Sequence, residues 1–211
     1  MVQKIYDISR VFSPSIATWP GDVPFSLQDT FSQREGFSVN VGRVQTSLHT
    51  GTHIDAPYHF DSQGETAEQL ELSAFWGLAQ VVTVGRKHGP LEVEDLAGVN
   101  LESAPRLLLH TAASEFPQDI FPGKIVYPSV SLVSALSAAG MVLLGTDAPS
   151  MDALDDQTLP GHAALYRHGI SILEGLNLTG VPDGLYELCA LPLNIKGGDG
   201  SPVRAVLRQM R

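Results

Sequence analysis

Cysteine is almost absent from this sequence of 211 residues, which contains only Cys189. A fold held together by intrachain disulfides is therefore excluded. Cys189 lies in the apolar segment "YELCALPL". This setting predicts a buried structural thiol, because a catalytic thiol needs an exposed, electropositive environment. A single cysteine also fits a reducing compartment, and we expect a cytoplasmic protein.

Basic clusters and long apolar segments are absent too. The 13 lysines and arginines stand against 23 aspartates and glutamates, which gives a net charge of −10. No basic segment is long enough to neutralise a nucleic-acid backbone, so we expect no nucleic-acid partner. No stretch approaches the ~20 apolar residues of a membrane span. The segment "MVQKIYDISR" also lacks the apolar centre of a signal peptide. We therefore expect no membrane partner.

Several familiar catalytic motifs are missing as well. The sequence has no G-x-S-x-G segment, which argues against a serine nucleophile at a strand-to-helix turn. It also has no P-loop and no G-x-G-x-x-G segment, so nucleotide binding is unsupported. Asp147 follows an apolar segment in "LLGTDAPSMD", and we expect it to cap a turn there.

Short apolar segments rich in β-branched residues predict most of the fold. Strands are expected at 38–48, 78–85, 106–111, 141–147, 170–176, 184–193 and 203–208. Helices are few, and each predicted one ends at a glycine; they cover 129–140, 91–98 and 160–169. The segment 11–31 is rich in proline and turn residues, which predicts a long loop. We expect one β-rich α/β domain over residues 1–211, with a mixed sheet and few helices.

The segment "LHTGTHIDAPYHF" contains three of the seven histidines of the chain. It places four polar side chains close together: His49, His53, Asp55 and His59. Its glycine, threonines and proline disfavour a helix, so we predict a strand that runs into a tight turn. In an extended strand His53 and Asp55 point the same way, and Gly51 can bend the chain so that His49 joins them. Two imidazoles and a carboxylate suit zinc, iron, nickel or manganese. The alternative is a polar loop in which these histidines only form hydrogen bonds.

Further metal ligands are expected in the distant segment 159–178, which contains His162, His168 and Glu174. Glu174 follows the apolar residues Ile172 and Leu173. Burial of a carboxylate in such an apolar strand is unfavourable unless it is paired or binds a metal. The alternative is that Glu174 faces solvent. Both alternatives stay open on the residues alone.

The segment "HTGTHIDAPYH" resembles the H-x-G-T-H-x-D-x-P-x-H signature of the cyclase-like metal-dependent hydrolases. The resemblance runs nearly from end to end of the chain, and "TWPGD" and "RHGISILEGL" indicate the kynurenine formamidase (arylformamidase) branch. It implies a swivelling β/β/α fold with a mixed sheet, usually in a homodimer. It also implies hydrolysis of N-formyl-L-kynurenine to L-kynurenine and formate, in tryptophan degradation, by water activated at the metal.

The same resemblance implies a role for each candidate residue and two zinc ions per subunit. His49, His53 and Asp55 would bind one zinc ion, and Asp55, His162 and Glu174 a second. Asp55 and Glu174 would bridge both ions, and His59 would be the catalytic acid and base. Trp19 would line the substrate pocket, although its residue type alone favours ordinary core packing. The alternatives are a related cyclic-amide hydrolase, such as an isatin hydrolase, and a non-catalytic metal-binding protein on the same scaffold.

Overall fold

The computed structural model describes residues 3–210, in which thirteen strands and two α-helices form. The strands are β1 (Ile5–Asp7), β2 (Ser26–Phe31), β3 (Val41–Gln45), β4 (His53–Asp55), β5 (Trp76–Thr83), β6 (Gly89–Leu91), β7 (Arg106–His110), β8 (Val126–Pro128), β9 (Leu143–Thr146), β10 (Ser171–Glu174), β11 (Gly184–Cys189), β12 (Gly200–Pro202) and β13 (Val206–Gln209). The helices are α1 (Val130–Ala138) and α2 (Pro160–Arg167). Neither of these helices is long and apolar enough to cross a membrane. The cytoplasmic location stays a prediction.

Nine of these strands form one mixed sheet in the order β1-β13-β11-β5-β7-β9-β10-β4-β12. The neighbours β5, β7, β9 and β10 are parallel, and the strands at both ends of the sheet are antiparallel. Only residues 203–205 separate β12, at one edge, from β13, next to the other edge. So short a connection requires the sheet to curl until its edges approach each other. The predicted β-rich α/β class with a mixed sheet and few helices is confirmed.

Apolar side chains fill both faces of the curled sheet. Leu108 of β7 points inside the curl, where it shares a cluster with Ile54 and Leu207 from strands near opposite edges. Its neighbours Leu107 and Leu109 point outward into a second cluster that α1 and α2 cover. Strands buried on both faces need unbroken apolar sequence, which explains the continuous apolar segments of the central strands.

Three sequence predictions are corrected by the structure. The segment 11–31 is not a loop throughout, because its last part forms β2, a strand whose residues are almost all exposed. The predicted helix 91–98 is only a short 3₁₀ turn, Val93–Leu96. Cys189 is partly exposed rather than buried, because alternation along β11 directs Tyr186 and Leu188 to the core and Cys189 to the other face.

Candidate metal centre

Strand register brings Glu174, the carboxylate of the segment 159–178, to the histidine cluster. β4 pairs with β10 in antiparallel fashion, and this pairing sets Glu174 directly opposite His53. The strand period of two places His53 and Asp55 on the same face of β4, while Ile54 points into the core. His53, Asp55 and Glu174 are all buried. The predictions that His53 and Asp55 share a face of a strand, and that a turn adjoins it, are therefore confirmed.

A close approach of two backbones shapes the turn before β4. Gly51 and Gly175 both have positive φ angles, of 66° and 63°. A Cβ atom on Gly175 would lie 1.9 Å from the carbonyl oxygen of Gly51, so no side chain fits there. The bend at Gly51 brings His49 back towards β4, and its Nδ1 lies 2.9 Å from Oδ1 of Asp55.

Helix α2 supplies the third imidazole. His162 is buried in the first turn of this helix, whose N-terminus is capped by Asp152 through the backbone amides of Gly161 and His162. Nε2 of His162 lies 3.3 Å from Oδ2 of Asp55 and 3.5 Å from Oε1 of Glu174. Nε2 of His53 lies 3.3 Å from Oδ1 of Asp55 and 3.5 Å from Oε2 of Glu174. The structure therefore brings together all five side chains that the sequence predicted as metal ligands.

Each imidazole has one ring nitrogen held by an outer acceptor. Nδ1 of His162 lies 2.6 Å from Asp152, Nδ1 of His53 lies 3.0 Å from the carbonyl oxygen of Gly51, and Nε2 of His49 lies 3.1 Å from Asp199. In each case the other ring nitrogen faces Asp55. Outer partners of this kind fix the tautomer and the orientation of metal-binding histidines.

Two of these acceptors, Asp152 and Asp199, were missed by the sequence analysis. Asp152 carried no local signal, because it lies eight residues before α2, outside the position where a sequence pattern predicts a helix cap. Asp199 lies in "KGGDGSP", a turn-like segment with no signal that links it to a histidine 150 residues away. His168, by contrast, is exposed at the end of α2 and lies outside the cluster.

The electrostatics of the cluster favour positive charge. Burial by itself lowers the pKa of His53, but its close contacts with the carboxylates of Asp55 and Glu174 outweigh burial and raise that pKa to about 10. The pKa of His49 is raised to about 9 because Asp199 and Asp55 likewise outweigh its burial. Burial raises the pKa of Asp55, yet its hydrogen bonds with the three histidines bring that pKa well below the usual value.

The donor set fits a divalent cation. Glu174 Oε1 is buried and has no hydrogen-bond partner within residues 3–210, since its 3.5 Å contact with His162 lacks hydrogen-bond geometry. A buried carboxylate oxygen without a partner is unfavourable, and a metal ion would satisfy it. Ligand atoms of His53, Asp55 and Glu174 all lie within 4.8 Å of one another. Imidazole nitrogens combined with carboxylate oxygens suit zinc and similar transition metals.

His59 lies beside this cluster at the end of a 3₁₀ turn, Pro57–His59. Its ring centroid is 4.0 Å from that of His49, and its side chain is 34% exposed. Nδ1 of His59 lies 3.6 Å from Asp199, which is too long for a hydrogen bond. Burial lowers the pKa of His59, which favours its neutral form. His49, Asp55 and His59 could also hold a cation together. The geometry therefore allows His59 to be either a metal ligand or the catalytic acid and base.

A cavity of about 530 Å³ opens onto the cluster. Its other walls carry aromatic side chains, among them Trp19, Phe116 and Phe121. Trp19 is 40% exposed and packs edge-on against Phe121, with ring centroids 5.3 Å apart. The interpretation of Trp19 as a core residue is therefore wrong. Asp147 does not cap the turn of its own loop as predicted; its carboxylate accepts hydrogen bonds from Thr111 and Ser114 at the distant 3₁₀ turn Ala112–Glu115.

Comparison with known proteins places this geometry in a family. The family model described as "Putative cyclase" matches residues 6–153. A protein of Bacillus cereus named kynurenine formamidase is 45% identical over 202 residues, and the alignment covers 96% of each chain. The chain belongs to the cyclase family, in its kynurenine formamidase branch. "Cyclase" is the name of the family only; the protein is a hydrolase, as the sequence analysis predicted.

Solved structures support the same assignment for the fold. A protein described as a potential metal-dependent hydrolase with cyclase activity superposes on this cyclase with a TM-score of 0.85, at 25% identity and over 100% of both chains. Isatin hydrolase A from Labrenzia aggregata gives a TM-score of 0.83 at 24% identity, over 99% of this chain and 94% of that one. At that identity the second likeness shows the fold alone.

Proposed function

We propose that this cyclase hydrolyses N-formyl-L-kynurenine to L-kynurenine and formate. The observation that carries the proposal is the convergence of three imidazoles on two buried carboxylates beside a cavity with aromatic walls. A cavity of this size is ordinary for a small aromatic ligand. The relatives that are 45% identical over nearly the whole chain carry the name kynurenine formamidase, which supports the same reaction.

The directions of the carboxylate oxygens support two metal ions, which we propose are zinc. Oδ1 of Asp55 faces His49 and His53, whereas Oδ2 faces His162. Glu174 divides its oxygens in the same way, with Oε2 towards His53 and Oε1 towards His162. The imidazoles therefore form two groups, and each group contacts both carboxylates. We propose that His49 and His53 would hold one ion and His162 the other, and that Asp55 and Glu174 would be ligands of both.

The reaction needs an attack by water and the expulsion of an arylamine. A bound divalent cation supplies Lewis-acid chemistry, which lowers the pKa of water and polarises a carbonyl oxygen. His59 is neutral and partly exposed, so it can accept a proton from the attacking water. It then donates that proton to the formamide nitrogen as the C–N bond breaks, because an arylamide anion is a poor leaving group. Formate and the free amine result.

We assign Trp19 to the binding of the aromatic ring of the substrate. Its indole lines the cavity and is held by the edge-on contact with Phe121. Aromatic pairs of this kind contribute about 0.5–1.5 kcal/mol beyond the area that they bury, and a substrate ring would add a further such contact.

A rate comparison tests this function against the nearest alternative. We expect kcat/KM for N-formyl-L-kynurenine to exceed that for isatin by at least about 100-fold, since a pocket that fits one substrate commonly discriminates by a few kcal/mol. Formate release and the absorbance of kynurenine give two independent measurements. A higher kcat/KM for isatin would show that the cyclase is a cyclic-amide hydrolase instead. No turnover of either substrate in metal-loaded protein would favour a non-catalytic metal-binding protein.

We also propose a homodimer, which the β2–β3 hairpin supports. This hairpin pairs Leu27 with Val44. These two side chains lie on the same face of the hairpin and are 58% and 56% exposed. An isolated two-stranded hairpin is marginally stable in water, and an exposed apolar patch commonly marks an interface.

We expect the double variant Leu27→Glu/Val44→Glu to be a monomer by light scattering coupled to size-exclusion chromatography. The wild type and the control Gln28→Glu, on the opposite face of the hairpin, should run as dimers. A wild-type monomer would contradict the dimer itself. A variant that remains dimeric would instead exclude this face of the hairpin as the interface.

A further inference from the structure

Arg10 adds a permanent positive charge to the cavity wall, apart from the histidine cluster. Within residues 3–210 it is the only lysine or arginine that lines the cavity. Four carboxylates also line it, from Asp22, Asp55, Asp147 and Glu174. A substrate that carries its own carboxylate would be attracted by Arg10 and by the histidine cluster or a metal bound there, and repelled by the exposed carboxylate of Asp22.

Hydrogen bonds hold Arg10 in place relative to the metal centre. Its Nη2 donates to the carbonyl oxygens of Ala113 and Asp147, at 3.1 and 3.2 Å. Its backbone amide donates to Oγ1 of Thr52 at 2.8 Å, and that hydroxyl donates to the carbonyl oxygen of Gly175 at 2.7 Å. Thr52 and Gly175 adjoin His53 and Glu174 in sequence. Arg10 is therefore fixed against the same two segments that carry the proposed metal ligands.

The remaining donors of Arg10 have no partner in the described part of the chain. An arginine side chain has five N–H donors, and only those on Nη2 are used. The carboxylate of Asp147 acts on Arg10 through its charge, but four hydrogen bonds from Thr111 and Ser114 already engage its oxygens. A partly buried cation without a direct carboxylate partner faces the cavity with Nε and Nη1 free for a ligand.

We propose that Arg10 binds the carboxylate of the amino-acid part of the substrate and makes this cyclase selective for formamides that carry one. Both usual parallel pairs of guanidinium donors include Nη2, which is already engaged, so the carboxylate would accept a single charge-assisted hydrogen bond from Nη1 or Nε. In this proposal the formyl group would occupy the metal centre, the aryl ring the aromatic wall and the carboxylate the surroundings of Arg10, all of which line the same cavity. This inference rests on the proposed hydrolysis of N-formyl-L-kynurenine.

The decisive experiment compares Arg10→Met on two substrates. We expect kcat/KM for N-formyl-L-kynurenine to fall roughly 10- to 100-fold, the usual effect of losing hydrogen bonds to a charged group. For 2-formamidoacetophenone, which keeps the ring and the formamide but has no carboxylate, we expect less than about a threefold change. Arg10→Lys should recover part of the loss, because it restores the charge but not the hydrogen bonds that hold the guanidinium in place. The control Arg86→Met removes an arginine that pairs with Asp95 and does not line the cavity, so neither substrate should be affected.

A second measurement uses the wild type alone and is independent of how the variants fold. The methyl ester of N-formyl-L-kynurenine should be hydrolysed at the formamide roughly 10- to 100-fold less efficiently than the free acid. Equal kcat/KM values for acid and ester, or equal losses on both substrates in Arg10→Met, would overturn the role of Arg10. Failure of the wild type to hydrolyse any of the three formamides would instead overturn the proposed function.

Discussion

Removal of bound metal is expected to abolish hydrolysis of N-formyl-L-kynurenine, and added Zn²⁺ to restore it. Lewis-acid chemistry supplies several kcal/mol of barrier reduction, and each ~1.4 kcal/mol changes the rate about tenfold. We therefore expect kcat/KM to fall at least roughly 1,000-fold after dialysis against a chelator. Metal analysis of the restored enzyme should give two zinc ions per chain. Full turnover by protein shown to be free of metal would contradict the metal mechanism.

A variant of the proposed bridging carboxylate gives this test a readout other than activity. Glu174→Gln removes the negative charge that is shared between the two groups of histidines, so we expect fewer than two zinc ions per chain and a smaller rise of Tm on adding Zn²⁺. Glu187→Gln is the matched control, because Glu187 lies on β11, pairs with Arg208 and does not line the cavity. A Glu174→Gln enzyme with the full metal content would remove Glu174 from the ligand set.

His59→Ala is expected to keep its metal and to lose turnover by about 100- to 10,000-fold, the usual contribution of a positioned acid or base. The ring of His59 lies outside the set of donors that faces both carboxylates, and it is partly exposed. Metal content and kcat measured on the same preparation separate the two roles. His53→Ala is the comparison, because that imidazole faces both carboxylates and its loss should lower the metal content.

The dependence on the leaving group tests the acid role of His59 more directly. Formanilides with electron-withdrawing ring substituents release a less basic amine, which needs less protonation as the bond breaks. The loss caused by His59→Ala should therefore shrink as the leaving amine becomes less basic. A constant loss across such a series would exclude proton donation by His59. Loss of metal from His59→Ala would identify it as a ligand, as the second arrangement of donors around His49 and Asp55 permits.

Local sequence predicted those parts of the molecule whose signal is contained in a few consecutive residues. The mostly apolar segments at 78–85 and 141–147 predicted strands, and both strands are central in the sheet, where burial on both faces demands apolar residues. The glycine after α1 predicted the end of that helix for an equally local reason, and the structure shows that Ser129 caps its start. Strand β2 was missed because it lies outside the core, so packing imposes no apolar alternation on it.

The roles of the histidine partner Asp199 and of Arg10 could not be predicted from local sequence. Asp199 is 150 residues from His49 in sequence, and nothing in "KGGDGSP" favours an imidazole partner over solvent. Nothing in "DISR" distinguishes Arg10 from an ordinary surface arginine. Only the packing of its neighbours shows that it lines the cavity. Contacts between distant segments depend on how the sheet curls, which no local pattern encodes.

The order of residues by itself determined the chemistry that is available: imidazoles and a carboxylate within one turn, a second carboxylate in an apolar strand, and a tryptophan in a loop. The tertiary structure alone decided which atoms meet. The register of β4 against β10 sets Glu174 opposite His53, and a shift by one residue would turn Glu174 away from the site, because alternate strand residues face opposite sides. Packing of α2 on the sheet then brings His162 to the other oxygens of the same carboxylates.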